Sequence, residues 1–450
     1  MCKPRLHALL LGCVTTVVIG TTVTAQTSPP LPAARADLTL DDVLTAALAQ
    51  HPLVEAARAQ VTAAEGSRRT ASTFPNPVGT FWMENTRFPG QGPLTGLDRE
   101  ISAYATLPLE PFLQRSSRLA EVNADVRAAE AVVTSTEQRI ALDAAHAFYR
   151  VALAQASLEA VRENRAAVEQ LVGYLRTRVA QGANPEGELI RAEVERDRVD
   201  TETTLAEVEL LRAQASLRPF LGDTGIPQVA FRVTSPGFAR GVPLAPLSDF
   251  TAHALRERPE LLTGRAKVEA ATGAIAVEHS LLVRQLGASF GVKRTAGSSA
   301  MVAGVSVTVP LFDRNRGEIQ RASGERLAAE QELRWLERTI RGEIDATYQA
   351  AERLAAKAAA VQPTFLNRAE ESRRIALAAY QEGAATLLQV LDASRALTDV
   401  RLTYARLMFA ADESAFELGV AAGYDAKTAA RFGRSTPATA EGVRREGGSR

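Results

Sequence analysis

The residue types that carry most protein chemistry are sparse and scattered in this chain. Imidazoles stand at His7, His51, His146, His253 and His279, and thiols only at Cys2 and Cys13. Each isolated histidine reads as helix surface or as a packed, satisfied side chain rather than as a metal ligand. No phosphate-cradling glycine motif, nucleophile elbow or Cys/His cluster occurs. No metal, cofactor or catalytic activity is therefore expected. The 52 basic and 52 acidic residues cancel, which leaves no electrostatic footprint for nucleic acid. Asp392 has Arg395 three residues on, and the plain reading is an exposed pair on one helix, worth little.

The elements that must position these groups are long helices arranged in two copies. Leu40 to Gly66 aligns without gaps on Leu247 to Gly273, and Leu107-Pro108-Leu109 is echoed by Val309-Pro310-Leu311. Gln181-Gly182-Ala183 is echoed by Glu382-Gly383-Ala384. The pattern divides the chain into a first repeat over 38–223 and a second over 245–424, with linkers at 26–37 and 224–244. No proline interrupts 112–184, and the spacing predicts a first long helix over 112–181 and a return helix over 188–221. Its apolar seam runs Leu119, Val122, Val126, Ala129, Val133, Thr136, Ile140, Ala144, Ala147, Val151, Ala154, Leu158 and Val161, with an extra four-residue step at Ile140 to Ala144. The second copy, a long helix over 316–381 and a return over 387–420, carries the same step at Ile340 to Ile344, and such a stutter locally unwinds a coiled coil. Pro363 should kink or restart that helix near Gln362. Gly182 and Gly383 sit where each long helix must turn back.

Each copy also holds two candidate strands, 78–85 and 101–107 in the first and 286–293 and 301–309 in the second. Ala303, Val305, Val307 and Val309 alternate with Gly304, Ser306 and Thr308, which gives one apolar and one small polar face. Their length suits tilted outer-membrane strands. Val305, Val307 and Val309 are then the lipid-facing set. Four strands cannot close a barrel whose minimum is about eight, and an open edge in lipid strands unpaired backbone groups. Association is required, and two chains with eight strands or three with twelve both satisfy it. Residues 1–25 read as a secretory signal: Lys3 and Arg5 precede an apolar run, and Val23-Thr24-Ala25 supplies small residues for cleavage between Ala25 and Gln26. The rival reading lipidates Cys13. The tail from 425 to 450 lacks a periodic apolar face and is expected to be disordered.

With these features assembled, the chain resembles the TolC family of outer-membrane efflux proteins from Leu38 to Gly423. The carriers are Leu38-Thr39-Leu40-Asp41-Asp42, Ala47-Leu48, His51-Pro52, Phe74-Pro75-Asn76-Pro77, Tyr380-Gln381-Glu382-Gly383 and Val390-Leu391-Asp392-Ala393. Pro310-Leu311-Phe312-Asp313-Arg314-Asn315-Arg316-Gly317 and Pro108-Leu109-Glu110 look most like the heavy-metal branch, the partners of cobalt, zinc and cadmium exporters. The resemblance implies a mainly α fold with a small transmembrane β part. Long antiparallel helical hairpins and four strands per chain would build a homotrimer with a 12-stranded β-barrel. It implies a passive, non-enzymatic duct in the outer membrane lipid with a long periplasmic extension, served by a periplasmic adaptor and an inner-membrane pump. The turn residues Gln181, Gly182, Ala183, Glu382, Gly383 and Ala384 would be the adaptor-docking tips. Asp392 matches an acidic position lining the periplasmic entrance, whereas Gln389 replaces the second acidic position. Tyr380 and Glu188 match a tyrosine–carboxylate link between the hairpins, and Ala385 replaces its usual basic companion. A periplasmic coiled-coil scaffold or adaptor is the alternative, and the two strand pairs discriminate against it.

Overall fold

The computed structural model describes residues 37–86, 98–222, 231–234, 244–282 and 286–432, with the side chains of 362 and 363 excepted. Ala25 and Gln26 lie outside these residues, as does the tail from 433. The first half begins with β1 (Asp37–Leu38), then α1 (Leu40–Gln50) and α2 (Pro52–Ser72). Thr39 and Asp42 close a capping box on α1, while the His51 ring accepts from the Leu53 amide, 3.2 Å away, at the head of α2. Pro52 fills the first helical position, where its missing N–H costs nothing. The strands β2 (Val78–Glu84) and β3 (Glu100–Pro108) lead into α3 (Pro111–Ala180), which returns as α4 (Glu186–Leu221). At 70 residues, α3 is about 105 Å long.

In the second half β4 (Arg232–Val233) precedes α5 (Leu247–Glu257) and α6 (Pro259–Ser280), then β5 (Leu286–Thr295) and β6 (Ser298–Val307). The second long helix is divided. It runs as α7 (Arg316–Val361), passes through a π-helical turn at Gln362–Leu366 that contains Pro363, and continues as α8 (Asn367–Gln381) before α9 (Leu387–Ala421) returns. A proline has no N–H for the helical ladder, and a wider turn absorbs the missing bond without ending the helix. The predicted seam is the packed face. Thr136, Ile140, Ala144, Val151, Leu158 and Val161 are buried on α3, as are Ile340, Ile344 and Ala351 on α7.

Three buried clusters hold the helices together. One joins α1 and the middle of α3 to α9, another lies near the helix turns around Leu171, Leu175, Val199 and Leu391, and the third joins α5, α6, α7 and α9 around Phe250 and Ile344. Gly273 permits the close crossing of α6 and α3, since a Cβ there would stand 2.8 Å from the Glu121 backbone. Its repeat counterpart Gly66 faces open space.

The four long strands form one antiparallel sheet in the order β2-β3-β5-β6. Its register stacks Phe81 on Ala103, Ala103 on Val292, and Val292 on Met301. By the period of two, one face carries Phe81, Met83, Ile101, Ala105, Leu107, Phe290, Val305 and Val307. The opposite face carries Thr80, Ser102, Tyr104, Thr106, Ser289 and Ser306. Neither β2 nor β6 has a second strand partner among the described residues.

Three expectations need correction. The fourth strand ends at Val307, so Val309 stands outside it. Its partner β5 begins at Leu286, whose carbonyl takes the Leu109 amide instead, and Pro310 offers no donor to extend the ladder. The linkers 26–37 and 224–244 are not wholly irregular, because Asp37–Leu38 pairs in parallel with Arg232–Val233. The tail does not lose structure at residue 425. Asp425 caps a short α10 (Ala426–Ala429), and Ala429, Ala430 and Phe432 pack on the core beside α9. An Asp cap and three apolar contacts stabilise this turn, which has no periodic face long enough to register as a helix in sequence.

Candidate functional site

The helix reversals at Gly182 and Gly383 have the same backbone geometry. Gly182 (φ +70°) and Gly383 (φ +79°) are left-handed. In the first, the amides of Gly182 and Ala183 bond Val179 and Arg178 carbonyls; in the second, those of Gly383 and Ala384 bond Tyr380 and Ala379. This glycine-terminated pattern satisfies the carbonyls left over at a helix end. Gln181, Ala183, Glu382 and Ala384 stand exposed beside the two glycines.

Just inside the turns, the two hairpins are joined by polar side chains. The Tyr380 hydroxyl donates to Glu188 Oε2 at 2.8 Å, so the tyrosine–carboxylate pair picked out in sequence is in contact. Burial first, and then the Glu188 carboxylate, push the Tyr380 phenol well above its usual range. Asn184 donates to both partners, 2.8 Å from Glu188 and 3.2 Å from the Tyr380 oxygen, and accepts from Arg178 Nε at 3.1 Å. Arg178 thus brings a positive charge to the node from the first hairpin, where Ala385 supplies none.

Two turns deeper, Glu195 on α4 is almost wholly enclosed and is held by two guanidiniums. Arg198 reaches it from the same helix at 2.6 Å, and Arg395 Nε from α9 at 3.0 Å. Burial alone would raise this carboxyl, but the hydrogen bonds from Arg395 and Arg198 hold it down at about 2. Arg395 is therefore not the dedicated partner of Asp392, whose carboxylate is 3.9 Å away and 63% exposed. Asp392 and Gln389 line a groove between α8 and α9 with Glu371 and Ile375. Gln389 folds back to accept from the Thr386 amide at 2.8 Å, so its side chain closes a capping box on α9.

The remaining histidines have varied surroundings. His253 stacks on Tyr424, and its Nδ1 lies 2.8 Å from the Ala422 carbonyl. His146, isolated in sequence, lies between Glu413 and Glu417 of α9. Among the described residues no helix is long and apolar enough to cross a membrane.

The profile of the family described as "Outer membrane efflux protein" matches residues 251–424. The cobalt-zinc-cadmium resistance protein CzcC of Cupriavidus metallidurans is 25% identical over 375 residues, covering 82% of this chain and 85% of that protein. By this profile and this relative, the chain is similar to the TolC family of outer membrane efflux proteins. The TolC-type fold is likewise seen in the outer membrane protein VceC of Vibrio cholerae, with a TM-score of 0.68 at 20% identity over 86% of this chain and 96% of that one. The Campylobacter jejuni outer membrane channel CmeC superimposes with a TM-score of 0.70 at 14% identity over 91% and 89%.

Sequence reading missed Asn184, Arg178, Glu195 and the encounter of His146 with α9. Glu195 and Arg395 stand 200 positions apart, close to the repeat offset, and a search for opposite charges at equivalent heights of the two copies would have found them. Nothing in the local sequence of Asn184 distinguishes it from an ordinary turn residue.

Proposed function

We propose that three copies of this chain form the outer-membrane exit duct of a three-part export system, with the sheet of each copy supplying one third of a 12-stranded barrel. The observation that carries the reading is the four-stranded sheet itself. One face is mainly apolar, with Arg294 towards the β5–β6 turn, the other mixes small and polar residues with Trp82, Tyr104 and Val302, and both edges are unpaired among the described residues. Backbone groups at such edges require a partner in lipid, and a ring of copies provides it. The long hairpins extend the duct into the periplasm, and the turns at Gly182 and Gly383 form the tips that meet an adaptor linked to an inner-membrane pump. Heavy-metal cations are the proposed cargo, by likeness to a relative named for cobalt, zinc and cadmium resistance.

The Tyr380–Glu188–Asn184 node and the Glu195–Arg395 pair hold the hairpins together at the periplasmic mouth. Three exposed Asp392 carboxylates ring that mouth and favour cations, whose oxygen preference suits them. Deleting the gene should sensitise cells to cobalt, zinc or cadmium, and fractionation should recover the protein in the outer membrane. Recovery in the soluble periplasm would support a coiled-coil scaffold instead. In planar bilayers, Asp392→Ala should lose block by polyvalent cations; unchanged block and selectivity would remove Asp392 from the mouth. Gln389→Asp should add little to this ring, because an aspartate at that position would be engaged in the helix cap as Asp42 is on α1.

A further inference from the structure

Where α3 packs on α9, the two halves of the chain bring together His146, Glu413 and Glu417. His146 Nδ1 lies 2.5 Å from Glu413 Oε1, and His146 Nε2 lies 3.6 Å from Glu417 Oε1. The three side chains are 40%, 32% and 35% exposed, so water reaches the cluster without flooding it. Glu413 and Glu417 are one helical turn apart and therefore share a face of α9. Asp143, one turn before His146 on α3, adds negative charge. Arg150, one turn after, is occupied by Glu209 of α4.

A neutral imidazole carries its proton on one nitrogen only. With Glu413 against Nδ1, that proton is held there, and the Nε2 lone pair is left facing Glu417. This is the carboxylate–histidine arrangement that orients metal-bound imidazoles and raises their basicity. Two ligands about 2.1 Å from a tetrahedral ion are about 3.4 Å apart. The observed 3.6 Å between Nε2 and the Glu417 oxygen needs only a small closure.

We propose that His146 and Glu417 ligate a divalent first-row transition cation, with Glu413 as the positioning residue and water completing the shell. One imidazole nitrogen with carboxylate oxygen selects zinc, cobalt or nickel over calcium and magnesium, which prefer all-oxygen shells. The cation would clamp the first half of the chain to the second at a height far from the hairpin turns. The site requires no assumption about the exported compound.

The test uses the full-length, detergent-solubilised assembly, stripped with a chelator and titrated with Co2+ or Zn2+ alone. Calorimetry should give one cation per chain, and bound Co2+ should develop visible absorption bands with nitrogen coordination. His146→Ala and Glu417→Gln should each abolish this binding, whereas Glu413→Gln should weaken it 10- to 100-fold, as loss of an orienting carboxylate does. Zinc should raise the unfolding temperature of the parent protein and leave that of His146→Ala unchanged, by mass action on the folded state. Circular dichroism and assembly size confirm that each variant is folded, and His146→Gln serves as the replacement where His146→Ala is not. A parent protein that binds no Co2+ or Zn2+, or binding that survives loss of His146, would overturn the proposal and reduce the cluster to an interhelical ion pair.

Discussion

The two long helices, α3 and α7, carry the same seam with the same stutter, yet they have different surroundings. α3 is packed by α2, α4, α6 and α9 within its own chain, while α7 rests mainly on α6 and α9. Phe148 of α3 is fully buried, whereas Trp335 of α7 is 69% exposed with Leu327 nearby at 54%. α4 shows a similar open side, with Val194, Leu205 and Leu211 exposed. A heptad pattern therefore says that a helix will pack, and the neighbours decide whether its own chain completes the packing. In the proposed ring of copies, the exposed apolar groups of α4 and α7 would face a neighbouring copy.

The sharpest contrast is between two aromatic truncations. Phe148→Ala should cost about 3–5 kcal/mol of stability, because a large side chain leaves a filled core. Trp335→Ala should change the stability of a dissociated chain by under about 0.5 kcal/mol, as for most surface positions, and should instead reduce the yield of assembled complex. Thermal unfolding combined with size analysis separates the two, and equal losses of chain stability would break the comparison. On the sheet, Met301→Lys at mid-strand on the apolar face should cost roughly 2–4 kcal/mol in the proposed barrel, with Val302→Lys tolerated better on the opposite face. Matching assembly yields for these two variants would mean that the assigned facing is wrong.

Weaker effects are expected where the halves are pinned together. Glu195→Gln should cost about 1–2 kcal/mol, since the carboxylate is enclosed but Arg395 is partly hydrated. The Glu195 carboxyl is lowered from 4.5 to about 2 on folding, so its contribution is complete above pH 4.5 and is lost as pH falls toward 2. The difference in unfolding temperature between parent and Glu195→Gln should be constant from pH 5 to 7 and shrink below that range; a difference that grows on acidification would reverse the sign. Smallest is Tyr380→Phe, at about 0.5–1.5 kcal/mol for one hydrogen bond, because Asn184 remains to satisfy Glu188. Its clearer readout is single-channel current, which should show more frequent opening.

Much of this architecture is legible in sequence because it rests on local, periodic signals. The seam from Val126 to Val161, the glycines at 182 and 383 and the proline at 363 each act through a few neighbouring backbone groups. The Tyr380–Glu188 contact came from resemblance, since no spacing rule joins residues 192 positions apart. Contacts made by single side chains across the fold left no local trace, and only the repeat offset points to one of them, Glu195 with Arg395. Glu195 with Arg395, Asn184 at the turn, and His146 against α9 each depend on the meeting of distant helices. The pairing of β1 with β4 and the packing of Phe432 escaped for a related reason: two-residue strands and a one-turn helix are too short to have a period.

The central claim is that β2 of one copy pairs with β6 of the next until three chains close the sheet. Thr80 lies on β2 and Val302, Gly304 and Ser306 on β6, all on the face opposite Phe81 and Val305 by the register, and the only natural cysteines are Cys2 and Cys13. Outer membranes carrying Thr80→Cys together with a cysteine at one of the three β6 positions can be treated with a short bis-maleimide and resolved in denaturing gels. The closed ring predicts a covalent ladder that ends at three chains for at least one β6 position, and for none when Thr80→Cys is moved to an exposed site on α7. A ladder ending at two chains, or crosslinks confined to single chains at every β6 position, would contradict it.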